Sequence, residues 1–194
     1  MTQSLNRRLR IPLFLLAIAT TAMLAGCGGS ADSGKEVKAP QLDACQLFTL
    51  QDATAITGGD TLAAMSSTLD DARGRDPGQC IYNSGTLDQP RILSLLIRQH
   101  RNAAAAKRFQ QSSGETLGSM SGGKVQEVPG LGDGAFWVGG RLQQLHVLAG
   151  SQQLIFTAQS ADGSDQLPIA RQIATRSLER LKAAAEAQRK PARR

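Results

Sequence analysis

Residues 130–159 read GLGDGAFWVGGRLQQLHVLAGSQQLIFTAQ, and this stretch decides the fold class of the chain. Two short turns that contain glycine divide it into three segments. In the third segment Leu154, Phe156 and Ala158 recur at every second position, which is the period of a strand with one buried face. The stretch therefore predicts an antiparallel meander joined by hairpin turns. The predicted strands cover residues 135–138, 141–149 and 152–159.

Helical patterns lie on both sides of this meander. After it, apolar residues recur at three- and four-residue spacing and predict a long helix with one face packed on the sheet. The members of this stripe are Leu167, Ala170, Ile173, Ala174, Leu178, Leu181 and Ala185. Before it, Thr49, with an acidic residue three positions later, predicts the start of a short helix that stops at Gly58-Gly59. Asn102 is predicted to cap a third helix over residues 103–110.

The remaining segments complete the domain. Short apolar segments predict strands around residues 80–82, 92–99 and 124–128. Residues 60–78 and 112–123 are rich in small and polar residues and are predicted to be loops, the first with room for one short strand. An antiparallel sheet flanked by helices is typical of the α+β class, which is the predicted fold class.

The N-terminus carries the pattern of an export signal. Three arginines between positions 7 and 10 precede an apolar run over residues 11–24. Such a run is shorter than the roughly 20 residues that a transmembrane helix needs, so a signal peptide over residues 1–26 is the preferred interpretation. The segment ends in Leu24-Ala25-Gly26-Cys27, which resembles a bacterial lipobox.

This resemblance implies a lipoprotein that is cut between Gly26 and Cys27. Cys27 would then carry the lipid, and several acyl chains would hold the protein firmly at a membrane. The next residue is Gly28 rather than the aspartate that commonly marks inner-membrane retention. We therefore expect a lipid-anchored envelope protein. It would lie at the outer membrane of a cell with two membranes, or at the outer face of the plasma membrane of a cell with one.

Behind the predicted anchor, composition divides the chain into three zones. Residues 27–41 form a small, polar tether, residues 42–186 a single folded domain, and residues 187–194 a basic disordered tail. Half of the net charge of +6 belongs to the signal and much of the rest to the tail. The charge therefore does not indicate a nucleic-acid-binding surface. A solvated tail is the preferred interpretation, and contact with anionic lipid head groups is the alternative.

Cysteine usage agrees with export. With Cys27 lipid-modified, Cys45 and Cys80 remain, and an even pair in an oxidising compartment predicts one disulfide. The alternative is a catalytic thiol, which would need a histidine nearby in space. The chain offers only His100 and His146 for that role.

Candidate sites are few. Two distant histidines and a cysteine pair do not supply converging metal ligands, and the sequence predicts no catalytic residues, metal or cofactor. His146 is expected to be a partly exposed structural residue on a strand. Residues 130–134 lack the Gly-Lys-Ser/Thr ending of a phosphate loop and predict a tight turn. Asp133 with Phe136 and Trp137 is the best candidate for a ligand-facing cluster, although a single tryptophan is more often a core residue.

Three segments, in this order, resemble a known group of proteins. They are DACQLFT at 43–49, which opens a short helix, CIY at 80–82 on a strand, and VPGLGDGAFW at 128–137, which precedes the meander. Over about residues 42–184 the chain is similar to small bacterial envelope lipoproteins of unknown function with a PsbP-like α/β/α sandwich. The resemblance implies a fold and an envelope location, and it carries no catalytic residue to this chain.

Three functions remain open from the sequence. The first is a non-catalytic binding or accessory module that contacts an envelope partner. The second is a carrier for an apolar small molecule or a lipid, held in a cavity between the sheet and its helices. The third is a hydrolase with an unrecognised site. An exposed apolar patch would favour a protein partner, whereas a cavity would favour a small ligand.

Overall fold

The computed structural model contains four helices and seven strands within the residues it describes, which are 43–59, 61–67, 78–86, 88–121 and 125–189. The helices are α1 (Ala44–Leu47), α2 (Leu50–Thr57), α3 (Ala103–Ser121) and α4 (Leu167–Arg189). The strands are β1 (Thr61–Ser67), β2 (Gln79–Gly85), β3 (Pro90–Gln99), β4 (Val125–Glu127), β5 (Gly134–Val138), β6 (Gln144–Ala149) and β7 (Gln152–Ser160). The α+β class predicted from the sequence is confirmed. The predicted signal and tether, residues 1–26 and 27–41, lie outside the described residues.

All seven strands form one antiparallel sheet in the order β1-β2-β3-β7-β6-β5-β4. The predicted meander over residues 130–159 is present as β5-β6-β7, with β4 added at its outer edge. A second meander, β1-β2-β3, joins it through the long pairing of β3 with β7, which runs from Arg91↔Ser160 to Gln99↔Gln152. The sheet is thus two meanders connected at their last strands.

Helices cover the two faces of the sheet unequally. α1, α2 and α4 pack on one face, where α4 contacts β6 and β7, and α3 packs on the opposite face against β4 to β7. The main core lies under α4. Ala170, Ile173 and Ala174 of the predicted helical stripe are fully buried there against strand residues such as Leu95 and Phe156. The predicted packing of this helix on the sheet is therefore confirmed.

The predicted caps are also present. The Thr49 hydroxyl accepts the backbone N–H of Asp52, and the Asp52 carboxylate accepts the backbone N–H of Thr49, which completes a capping box at α2. α2 ends at Gly58, whose φ of +84° is readily adopted by glycine. Asn102 caps α3 by accepting the N–H of Ala105 at 2.8 Å.

The prediction of a loop over residues 112–123 was wrong, because α3 continues to Ser121. Hydroxyl side chains satisfy carbonyls of the helix itself, as when Thr116 donates to the Ser112 carbonyl at 2.9 Å. The glycines of this segment also have a packing role. At Gly118 a Cβ atom would come within 2.8 Å of a Val125 methyl carbon. Glycine here permits close approach of helix and sheet instead of ending the helix.

Three other boundaries differ from the sequence prediction. The strand predicted from residue 141 begins at Gln144, because Gln143 takes a positive φ of 45° and its side chain accepts the N–H of Gln166. The basic tail predicted from residue 187 begins later, since α4 runs to Arg189. The predicted loop at 60–78 contains β1, for which the sequence left room.

Gly132→Ala is expected to lower the free energy of unfolding by about 2–3 kcal/mol. Gly132 has a φ of +54°, and a Cβ there would collide with the carbonyl oxygen of Leu148. That oxygen accepts the Asp133 N–H at 2.8 Å, so the backbone can retreat only by weakening this bond. Gly130→Ala is the control, because its φ is +81° but its Cβ would meet nothing within 4 Å.

Urea unfolding of both variants measures the steric contribution. We expect Gly130→Ala to lose roughly 1 kcal/mol, the conformational cost alone. Equal losses in the two variants would contradict the role assigned to the Leu148 carbonyl.

Candidate functional site

The sheet face beneath α3 differs chemically from the face beneath α4. Side chains alternate between the two faces of a strand. In β3, Ser94, Leu96 and Arg98 therefore point toward α3, whereas Leu95 and the residues two positions before and after it point into the main core. The strand registers place further polar groups on the α3 side: Gln153 and Thr157 of β7, and Gln144 and His146 of β6. We call this surface the α3 face.

A cavity of about 490 Å³ lies between α3 and the α3 face. We call it the α3 cavity. Its lining is part apolar, from Leu96, Leu117 and Ile155, and part polar, from Arg98, Gln144, His146 and hydroxyl groups of α3. A cavity of this size, with apolar walls and a few polar groups, is typical of a small-molecule site.

His146 is the most unusual residue of this cavity. Its side chain is buried, with 3 % of the residue exposed, which corrects the expectation of a partly exposed histidine. The ring stacks on Phe136 of the neighbouring strand, with centroids 4.6 Å apart and planes 9° from parallel. Gln153 Nε2 donates to His146 Nδ1 at 3.4 Å. With the Gln153 amide in this orientation, the proton of the neutral ring sits on Nε2, which has no hydrogen-bond partner among the described residues.

Burial, and secondarily the positive charge of Arg98, lowers the pKa of His146 to about 4. The imidazole of an unfolded chain takes up a proton near pH 6.5, whereas the buried ring does so only near pH 4. Between these values the unfolded state binds more protons than the folded state. The free energy of unfolding therefore decreases as the pH falls through this window.

We expect this decrease to approach about 1.4 kcal/mol per pH unit between pH 6 and pH 4.5, relative to a variant without the titrating ring. His146→Gln is that variant, because glutamine keeps a polar side chain but does not titrate. Urea unfolding at several pH values measures the difference between the two proteins. Parallel pH profiles would contradict a neutral, buried His146.

Arg98 supplies the positive charge of the α3 cavity. Its guanidinium lies 4.9 Å from the centre of the Phe109 ring on α3, which is a cation–π contact. No ion pair to Arg98 is found within the described parts of the chain, and its side chain is half-buried. Apolar core residues alternate with other residues in 92–99, and this pattern places Arg98 on the face of the strand that points away from the core. The sequence did not indicate which helix covers it, so sequence analysis missed this residue.

A second cavity of about 570 Å³ lies between α3 and the glycine-rich loop before β5. We call it the loop cavity. Within the described structure its charged lining residues are Glu115, Glu127 and Asp133, and all three are acidic. The buried Gln110 donates from Nε2 to the Gly134 carbonyl at 3.1 Å, and its Oε1 has no partner in the described structure. The two cavities beside α3 therefore carry opposite charge.

The structure does not bring the three predicted ligand-facing residues together. Phe136 and Trp137 are consecutive on β5 and point to opposite faces, so Trp137 lies in the main core and Phe136 beneath α3. Asp133 and Phe136 both line the loop cavity. The Asp133 carboxylate also accepts the N–H of Gly150 at 2.6 Å, which ties the glycine-rich loop to the β6–β7 turn.

The described residues include the two cysteines that are predicted to form a disulfide. Cys45 of α1 and Cys80 of β2 form a disulfide. Gly26 and Cys27, the predicted cleavage and lipidation positions, lie outside the described residues.

The described residues contain no group of three or more His, Cys, Asp or Glu side chains placed to hold a metal ion. None of their helices is long and apolar enough to cross a membrane. No protein-family model, curated protein or solved structure matches this chain.

Proposed function

We propose that this protein is a lipid-anchored envelope lipoprotein whose domain binds a small ligand in the α3 cavity. The anchor part rests on the lipobox-like segment that ends at Cys27, behind a basic and apolar signal. The binding part rests on the α3 cavity and on the polar groups that line it. The role is non-catalytic, and the membrane contact is made through the N-terminal lipid.

The observation that carries the binding proposal is the unpartnered Nε2 of His146. A buried polar atom without a partner costs about 1–3 kcal/mol, so most such atoms in folded proteins are satisfied. Gln153 beside it is fully buried and leaves its Oε1 without a partner in the described structure. An apolar face beneath α3 would avoid both costs. Nε2 is enclosed by protein atoms, and a ligand that accepts from it after a shift of the overlying side chains would explain why a polar face is kept.

The environment of His146 favours binding over hydrolysis. A histidine that acts as a general base is usually oriented by a carboxylate, whereas the partner of His146 Nδ1 is the amide of Gln153. Its pKa of about 4 also makes the ring a weak base near neutral pH. A hydrolase therefore remains the less favoured proposal.

Membership of the PsbP-like envelope lipoproteins is part of the same proposal. Helices on both faces of an antiparallel sheet agree with the α/β/α sandwich which that resemblance implies. The short segments that carry the resemblance provide no ligand, so the ligand is argued from the cavity alone.

Cys27→Ser tests the anchor. We expect the variant to leave the membrane fraction and to appear in the soluble envelope or medium fraction, because the acylated thiol is lost. Ser30→Ala, three positions further along, keeps Cys27 and should remain with the membrane. Membrane retention of Cys27→Ser would contradict the lipoprotein proposal.

Co-purification tests the binding site. The intact lipoprotein is isolated from its own membranes, and small molecules released on denaturation are identified by mass spectrometry. Ser113→Trp places a large ring in the α3 cavity and should abolish a stoichiometric signal. Lys107→Trp on the exposed side of α3 is the matched control and should preserve it. A stoichiometric protein partner without any small molecule would favour the accessory-module alternative.

A further inference from the structure

We propose that the ligand of the α3 cavity is a small amphiphile with an anionic head group, seated between Arg98 and His146. This inference rests on the proposed binding function of that cavity and adds the chemical class of the ligand.

The charge of the cavity is positive. Arg98 is its only ionised lining residue, and no acidic residue of the described structure lines it. The nearest acid along α3 is Glu115, which lines the loop cavity instead. The centre of the guanidinium lies over the face of the Phe109 ring. The N–H donors at the edge of the guanidinium therefore remain available to a ligand.

Two polar groups that line the cavity and await a partner, those of Arg98 and His146, are donors, whereas the unpartnered acceptor Oε1 of Gln153 lies outside the lining. The guanidinium of Arg98 carries only donors, and Nε2 of His146 carries the proton because Nδ1 accepts from Gln153. Arg98 pairs with Gln153 in the β3–β7 register, and Gln153 contacts His146, so the two donors border the same part of the cavity. A carboxylate or phosphate oxygen accepts from both groups, whereas an ammonium or a metal ion would be repelled by Arg98.

The remaining lining is apolar and requires an apolar body on the ligand. Leu96 and Ile155 of neighbouring strands form the floor, and Leu117 of α3 lies opposite them. A free inorganic anion would leave this surface wet. A short chain or a ring attached to the anionic head would cover it, with a gain that grows with the apolar area removed from water.

The loop cavity provides an internal contrast. Its charged lining residues are Glu115, Glu127 and Asp133, and the orphaned atom of Gln110 is an acceptor. An anion would therefore be repelled on that side of α3. Of the two cavities beside α3, the α3 cavity is the one whose charge fits an anionic head group.

The test uses a matched series of soluble probes with one apolar body and different heads. They are 4-phenylbutyrate, 4-phenylbutyl phosphate, 4-phenylbutan-1-ol and 4-phenylbutylamine. Each is titrated calorimetrically into the full lipid-anchored protein in nanodiscs, with empty nanodiscs as the blank. We expect at least one anionic probe to bind roughly 10- to 100-fold more tightly than the alcohol, which is the range for hydrogen bonds to a charged group. The two anionic probes distinguish a carboxylate head from a phosphate head.

Variants locate the head group. Arg98→Met should reduce the affinity for the anionic probe to that of the alcohol, and Arg98→Lys should retain part of the difference. Arg91→Met removes the same charge from the other end of β3 and should leave binding unchanged. The melting temperature of each variant separates a loss of binding from a loss of folding.

The outcomes separate the two proposals. If the acid and the alcohol bind equally and Ser113→Trp abolishes both, the binding site stands and the anionic head is wrong. If the amine binds most tightly, or if Arg98→Met leaves affinity for the anion intact, the head-group assignment is also overturned. If no probe binds and nothing co-purifies with the intact lipoprotein, the proposed function itself fails.

Discussion

Replacement of both Cys45 and Cys80 by alanine is expected to lower the free energy of unfolding by about 3–4 kcal/mol. The disulfide joins α1 to β2 across a sequence separation of 35 residues, and its loss releases a long loop in the unfolded chain. Cys80 is fully buried in the main core, so alanine there also removes some packing. The double variant is preferred because a single replacement would leave a reactive thiol.

The disulfide acts together with contacts that hold α1 on the sheet. Tyr82, two residues after Cys80, donates to the Phe48 carbonyl at 2.8 Å, and the two rings meet edge to face at 4.9 Å. These contacts remain in the alanine variant, so we expect destabilisation and not a loss of the fold.

Urea unfolding with and without a reducing agent provides the measurement and its control. Reduction should weaken the unmodified protein by a similar amount and should leave the double-alanine variant unchanged. A loss below roughly 1 kcal/mol would mean that α1 is held by packing alone, and it would contradict the assigned contribution of the disulfide.

Asp52→Ala is expected to lower the free energy of unfolding by about 3 kcal/mol. The carboxylate is 4 % exposed and accepts from Arg180 Nη1 at 2.6 Å and from Arg180 Nη2 at 2.9 Å. Arg176 Nη1 donates to it at 3.2 Å, and the Thr49 N–H and hydroxyl also donate to it. One side chain therefore links the start of α2 to the middle of α4.

The expected loss stays at the lower end of the range for a broken buried pair. Both arginines are more than one third exposed, so water can solvate them after Asp52 is removed. Arg180 also keeps its bond to the Leu47 carbonyl at 2.7 Å. Asp88→Asn, at an exposed position between β2 and β3, is the control and should change stability by less than about 0.5 kcal/mol.

The pH dependence provides an independent check on Asp52. Burial alone would raise its pKa, but the hydrogen bonds from Arg180, Thr49 and Arg176 outweigh burial and hold the pKa well below its usual range. Its contribution to stability is therefore complete above about pH 4 and is lost as the pH falls further. Because His146 acts above that window, acid titration separates the two residues. A variant that loses equal stability at pH 7 and at pH 2 would contradict the ionised Asp52.

Local signals in the sequence predicted many of the elements. The Thr49 capping box, the Asn102 cap and the stripe that includes Ile173 each depend on neighbours within about four positions, which a sequence displays directly. The alternation in β7 was equally clear. The long pairing of β3 with β7 was not predicted, because it joins two segments that are far apart in the chain.

The errors also have physical causes. Glycine and serine reduce helix propensity, so their frequency in residues 112–123 predicts a loop. In the structure Gly118 allows α3 to approach Val125 of the sheet closely. The predicted grouping of Asp133, Phe136 and Trp137 differs from the structure in one member, because Asp133 and Phe136 line one cavity whereas Trp137 faces the main core. Adjacent residues of a strand point to opposite faces, so sequence proximity separates Phe136 from Trp137 instead of joining them.

Sequence alone was sufficient to predict the α+β class, the helix caps and the pair of cysteines available for a disulfide, and it carries the lipobox-like segment on which the anchor proposal rests. These features depend on local composition and on short spacing. By contrast, Arg98, Phe109 and His146 border one cavity because β3, α3 and β6 meet there from distant parts of the chain, which local patterns do not reveal. Burial of His146 is likewise a tertiary property, since it arises from the helix laid over the sheet and not from its sequence neighbours.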